Sequence, residues 1–239
     1  MDLFQRFFPD ARTLALVAPA AALYALIAAT IAARLRAGGM RAPYTRKVFH
    51  FLIFTLAVVV HVVFGAPGVA VYGSIVAAAV VYATVRGDGF PFYEALARPS
   101  DAPQRTLFVL VPLVTTALGG VLANVLFGDF AVVGYLVAGW GDAVGEPVGT
   151  RWGRHRYRVP SLAGVPATRS IEGSGAVLLC GAAAAVIVLL VRGYGMPTAL
   201  GVGLACGVAG ALIEAVSTHG LDNLTVQLAG AATAALLLG

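Results

Sequence analysis

GWGDAVGEPVGTRWGRHRYRVPSLAGVPATRSIEGS, residues 139–174, begins inside one apolar segment and ends at the start of another. Between the two lie Arg151, Arg154, His155, Arg156, Arg158 and Arg169. Asp142 and Glu146 stand one helical turn apart, so a helix carries both carboxylates on one face. Gly141, Gly145, Gly149 and Gly153 recur on the adjacent stripe, where a second helix or a ligand can approach the backbone closely. Pro147 is expected to break the hydrogen-bond ladder between the acids and the arginines. A glycine-packed helix followed by a basic loop would explain the glycines and arginines. It would not explain two carboxylates in an apolar segment, where an ionised group is costly and functional by default. Carboxylates hold Mg²⁺ and guanidiniums hold phosphates, so the stretch points to a polyphosphate handled where a membrane meets water.

The rest of the chain fits that setting. Of its 239 residues 59% are hydrophobic and only 11% charged, with a mean hydropathy of +0.89. A soluble domain carries about 25% charged residues. The fold class expected is all-α: a polytopic membrane protein of about eight transmembrane helices in a single domain, 1–239. The spans fall at roughly 14–33, 48–64, 69–85, 107–126, 131–149, 175–191, 198–216 and 224–238. GAPG at 65–68 and FGDF at 127–130 read as tight turns, and YEALAR in the 86–106 loop as a short surface helix. The first span is too long, and too closely followed by arginines, for a cleaved signal peptide. Cys180 and Cys206 lie in apolar segments, which argues against a disulfide framework or a zinc site.

The basic residues report topology. With 34–47 on the cytoplasmic side, the loops 86–106, 150–170 and 217–222 fall there too. All 16 Lys and Arg except Arg6, Arg12 and Arg192 then lie on that face. The net charge of +5 therefore implies a lipid bilayer and not nucleic acid as the partner. The expected location is a bacterial or archaeal cytoplasmic membrane with the active site facing the cytoplasm, where nucleotides and Mg²⁺ are available.

Three further groups carry candidate chemistry. Arg46, Lys47 and His50 open the second span; they could grip a phosphate or simply flank a span. Arg169, Ser170, Glu172, Gly173 and Ser174 precede the sixth span, where a helix N-terminus offers free N–H groups to an anion, or a plain serine cap. Glu214 lies in the seventh span, and Asp222 and Asn223 open the eighth. A carboxylate at Glu214 needs a partner or a cavity. His61 and His219 have no obvious companions in the sequence, and there is no GxxxxGK[ST] or GxGxxG phosphate loop.

Taken in order, these groups resemble the dolichol kinase and phytol kinase family of CTP-dependent polyprenol kinases, distant relatives of the phosphatidate cytidylyltransferases. The resemblance rests on R-K-x-x-H at Arg46, Lys47 and His50. It continues through G-D-A at Gly141, Asp142 and Ala143 with Gly145, Gly149 and Gly153, then [KR]-S-x-E-G-[ST] at Arg169 to Ser174. It closes with Glu214 and G-x-D-N-L from Gly220 through Asp222 and Asn223. It implies CTP as phosphoryl donor and a lipid alcohol such as phytol, geranylgeraniol, a polyprenol or dolichol as acceptor. On that reading Asp142, Arg169, Glu214 and Asp222 are catalytic, and Asp142, Glu146 and Asp222 hold the Mg²⁺. Arg46, Lys47, His50, Gly145, Gly149, Arg151, Ser170, Glu172, Gly173, Ser174 and Asn223 line the nucleotide phosphates. The chain departs from the family at Arg169, where lysine is usual, so a proton shuttle at that position is not expected.

Two other readings use the same residues. A cytidylyltransferase would attack the α-phosphorus of CTP and release pyrophosphate. A transporter of an anion would use buried acids and arginines without a nucleotide. The general base is open among Asp142, Glu214, Asp222 and none, and neither the acceptor alcohol nor the oligomeric state can be read from the sequence.

Overall fold

The computed structural model describes residues 6–165, 167–218 and 220–239. His219, singled out above, lies outside them, as do the first five residues of the N-terminus. Helix accounts for 81% of the residues, as an all-α membrane protein requires. Among the described residues five helices are long and apolar enough to cross a membrane: Ala11–Ala37, Ala42–Arg86, Leu107–Trp152, Ile171–Val191 and Met196–Val216. The chain forms two compact units, Met1–Leu113 and Val114–Gly239.

The first unit begins with α1 (Ala11–Ala37), whose N-terminus Asp10 caps by accepting a 2.6 Å hydrogen bond from the Thr13 amide. Its buried face is Val17, Ala21, Ala25, Ala28, Ala29 and Ala32. Small residues at that spacing let α2 (Ala42–Arg86) approach the backbone. A straight helix of 45 residues would be about 68 Å long, twice the hydrocarbon core. Helix α2 is instead two helices joined at Gly65, whose φ of 65° and ψ of −160° only glycine adopts cheaply. The halves fold back on one another, since the Tyr72 hydroxyl donates to the Ile53 carbonyl at 2.9 Å. In a straight helix those residues would be about 28 Å apart. The reversal expected over 65–68 thus needs Gly65 alone, and Pro67 already lies in the second helix.

The 86–106 segment corrects an expectation. Helix α3 (Pro91–Leu96) is not a surface helix: Phe92, Tyr93, Ala95 and Leu96 are buried against α1 and α2. The sequence looked polar because its charges work internally. Arg105 bonds Asp88 at 2.5 Å and Glu94 at 2.7 Å, Arg36 donates to the Glu94 carbonyl at 3.2 Å, and Thr45 to the Ala95 carbonyl at 2.7 Å.

Helix α4 (Leu107–Phe127) leads into the second unit, and a 3-10 turn at Gly128–Phe130 reverses it into α5 (Ala131–Trp152). Asn124 and Tyr135 hydrogen-bond across that turn, so α4 and α5 are also a hairpin. Helix α5 is the centre of the unit. Residues 131–139 are all buried, and it packs against α6 (Ile171–Val191) and α8 (Asp222–Leu238). Helix α7 (Met196–Val216) packs between α6 and α8. The break expected at Pro147 does not occur: α5 runs through it to Trp152. A proline removes only one donor, and the close α6 neighbour keeps the helix in place.

The basic stretch after α5, expected as a loop, is not a loop throughout. Arg156–Val159 (β1) and Ala167–Ser170 (β2) pair as an antiparallel hairpin with Tyr157 opposite Arg169. The alternation in RYRV and the Pro160 to Gly164 turn composition carried that signal, which the density of arginines masked.

Candidate active site

The glycine stripe of α5 is filled by α6. A Cβ on Gly145 would run into Val177 Cγ2, and one on Gly141 would come within 3.1 Å of the same side chain. A Cβ on Gly149 would lie 3.0 Å from Ser170 Oγ, and one on Gly173 would lie 3.0 Å from the Gly145 carbonyl. Of the two uses the sequence allowed for these glycines, close helix packing is the one present. Ser170, 2% exposed, caps α6 by accepting from the Gly173 amide at 3.1 Å.

This packing fixes where β2 enters α6, and therefore where Arg169 points. Its guanidinium forms ion pairs with Glu214 of α7 and, at 2.9 Å, with Asp222 at the start of α8. It also donates to the Glu214 carbonyl. All three side chains are about nine-tenths buried. Burial pushes the Arg169 pKa down, but Asp222 and Glu214 outweigh it and hold it above the ordinary guanidinium value, with a further contribution from Asp142. Asp142, also buried, thus belongs to the same electrostatic group. Two carboxylates, from α7 and α8, pair with one guanidinium, and a third, from α5, adds to the field it feels.

The next layer holds this group in place. Ser174 of α6 donates to Glu214 at 3.5 Å and shares a 2.8 Å hydrogen bond with the Tyr157 hydroxyl of β1. Tyr157 was not singled out in the sequence. Its position opposite Arg169 depends on strand register, which the residue spacing alone does not give. Asn223 donates to Thr116 Oγ1 of α4 at 2.9 Å, and Thr115 to the Gly220 carbonyl at 2.7 Å, which pins the start of α8 to α4.

The other candidates have surroundings of their own. Glu172 receives the His155 backbone N–H and sits 2.8 Å from its ring Nδ1, closing the base of the hairpin. Arg151 is exposed at the end of α5, and Glu146 is half-buried one turn beyond Asp142. Arg46, Lys47 and His50 belong to the first unit. Lys47 and His50 are buried, the His50 ring lies 4.4 Å from that of Phe54, and Arg46 Nη1 is buried with no hydrogen-bond partner among the described residues. Among the described residues no cluster of three or more His, Cys, Asp or Glu side chains is arranged to hold a metal ion. Both cysteines are free thiols.

No protein-family model matches the chain, and no solved structure matches it significantly. It is similar to a curated protein named phytol kinase from Synechocystis sp., with 37% identity over 102 residues. The match covers 43% of this chain and 42% of the relative, so it spans less than half the length of either.

Proposed function

We propose that the chain is an integral membrane kinase that transfers the γ-phosphoryl group of CTP to an isoprenoid alcohol such as phytol, geranylgeraniol or a polyprenol. The observation that carries this reading is the convergence of Asp142, Glu214 and Asp222 on the single cation Arg169 in a buried setting. A surplus of buried carboxylate over guanidinium is relieved by protonation or by more positive charge nearby. Mg²⁺ suits that need, because it binds through one or two carboxylates and takes its other ligands from water and substrate phosphates. Such an ion requires no preformed cage of three side chains. Asp142 would hold it, with Glu146 or Asp222 assisting, and once bound it would neutralise charge on the β- and γ-phosphates.

The protein's own part is then positioning and electrostatics. Arg169 orients Glu214 and Asp222 and supplies a fixed positive charge beside the transferred group. The lipid hydroxyl oxygen bonds to the γ-phosphorus as the bond from γ-phosphorus to the bridging oxygen breaks. CDP leaves, and the hydroxyl proton passes to a nearby carboxylate or to water. A loose transition state needs little early deprotonation, so an arginine in the usual lysine position is compatible with the chemistry. The hairpins of α2 and of α4 with α5 support eight crossings, with the basic loops and the site on the cytoplasmic face.

The test is a product assay on purified protein in detergent with Mg²⁺, γ-labelled CTP or ATP, and a panel of phytol, geranylgeraniol, a long polyprenol and diacylglycerol. Label in one lipid, lost in Asp142→Asn, supports the kinase and identifies donor and acceptor together. Pyrophosphate release with phosphatidate, and no lipid labelling, would replace it with a cytidylyltransferase. Silence in both would end the enzyme reading.

A further inference from the structure

The β1–β2 hairpin has two faces with different work. Tyr157 and Arg169, opposite one another in the register, reach Ser174, Glu214 and Asp222. Arg156 and Arg158 alternate with Tyr157 and stand on the other face, with Thr168 directly across from Arg158. Arg154, Arg156, Arg158 and Thr168 are all exposed. Among the described residues no carboxylate pairs with any of the three arginines. The hydrogen bond from Arg156 Nε goes to the Gly153 carbonyl at 3.3 Å. Arg156 and Arg158 are spaced by about 7 Å along one strand face. We propose that this outer face is a binding site for the headgroups of anionic phospholipids in the membrane that holds the protein.

Three observations go beyond a topology signal, which needs only basic residues in a short loop. First, the arginines are presented on a fixed scaffold. Glu172 grips the His155 backbone N–H, the Ile171 amide donates to the His155 carbonyl at 3.0 Å, and Tyr157 is tied to Ser174. Second, the hairpin springs from helix ends that carry exposed apolar residues. Trp152 at the end of α5 and Ile171 at the start of α6 are each 64% exposed. A tryptophan at a span end belongs at headgroup depth, which puts the arginines beside it at that level. Third, guanidinium forks match phosphate oxygens in two-point hydrogen bonds, and the residues directly across from them, Thr168 opposite Arg158 and Ser170 opposite Arg156, are neutral hydroxyls. Since the opposite face carries Arg169, lipid held here would also steady the strand that seats the buried carboxylates.

Headgroups and a free triphosphate share this chemistry, and the experiment separates them. The chain has two tryptophans, so Trp140→Phe leaves Trp152 as the only indole reporter. Reconstituted in bilayers with equal fractions of phosphatidylglycerol and phosphatidylcholine, Trp152 should be quenched more by brominated phosphatidylglycerol than by brominated phosphatidylcholine. Each arginine near an anionic surface contributes on the order of a fivefold preference, so Arg154→Gln, Arg156→Gln and Arg158→Gln together should abolish it. High salt should weaken it. Should Trp140→Phe fail to fold, native mass spectrometry of the otherwise unaltered chain, with and without the three glutamines, reads retained phosphatidylglycerol directly. Equal quenching by both lipids, or unchanged retention in the triple variant, overturns the proposal. So does loss of the preference on adding millimolar inorganic triphosphate, which would make the face a triphosphate site. None of these readouts involves catalysis, so the proposal stands or falls apart from the kinase reading.

Discussion

Arg169 and Asp222 are separated by 53 residues in the chain and by 2.9 Å in the structure. The pair joins the strand before α6 to the first turn of α8, and the Glu214 carboxylate of α7 closes it from the side. This is the point at which the separate sequence groups of the second unit become one site.

Because that pair is buried, removing the cation should be costly. Arg169→Gln leaves Glu214 and Asp222 uncompensated and should lower stability by about 3–5 kcal/mol. Arg169→Lys keeps the charge but not the fork, and should fall between. Thermal unfolding in detergent measures both; a glutamine variant as stable as the parent would mean that the acids are neutral or solvated.

Asp142 lies buried in the same electrostatic group as Arg169, and its proposed work is to hold the metal. Asp142→Asn should reduce phosphoryl transfer by roughly 100-fold or more, a loss at or beyond the upper end of what outer-shell changes do to metal sites. Raising Mg²⁺ should recover part of it. Unchanged transfer, measured by labelled lipid product, would remove Asp142 from the mechanism.

Tyr157 reaches Glu214 through Ser174. Tyr157→Phe deletes one hydrogen bond and should cost about 1 kcal/mol of stability. If the hydroxyl positions Glu214, transfer should also drop by about tenfold, the equivalent of 1.4 kcal/mol in the barrier, and its pH profile should shift. A stability change with an unshifted profile would leave Tyr157 a purely structural tie.

The α5–α6 contact has no room for a methyl group at Gly145. Gly145→Ala should destabilise by about 1–3 kcal/mol through overpacking. Val177→Ala in the same chain should restore part of the loss, since Val177 is the side chain in the way. Unfolding of the two single variants and the double variant checks the coupling.

Glu94 gives a pH dependence. Burial pushes its carboxyl up, but the Arg105 hydrogen bond and the Gly89 amide outweigh burial and hold it below the ordinary glutamate value of 4.5. A depressed folded-state value means this contribution is fully present above pH 4.5 and is lost as pH falls through the lowered value. Glu94→Gln should therefore flatten part of the acid side of the stability profile and leave the neutral side without that slope.

The sequence by itself determined the class of molecule and the parts of the site. Hydropathy runs of span length, charges confined to short segments, and carboxylates in apolar surroundings are local properties, and they place the helices to within a few residues. The glycine stripe also declared a close approach, though not whether α6 or a ligand would make it. Tertiary structure decided everything that depends on register or on a neighbour. The segment around α3 reads as polar, yet Glu94 pairs with Arg105 and its backbone carbonyl accepts from Arg36, both from elsewhere in the chain. The hairpin is hidden because arginines alternate with tyrosine and valine at a density that looks like a loop. Arg169 reads as a phosphate grip in the sequence, and that it also pairs with Glu214 and Asp222 is visible only in the fold. The physical reason is that charge partnership in a buried site is set by distance through space, and the chain encodes that distance only after α5, α6, α7 and α8 have packed.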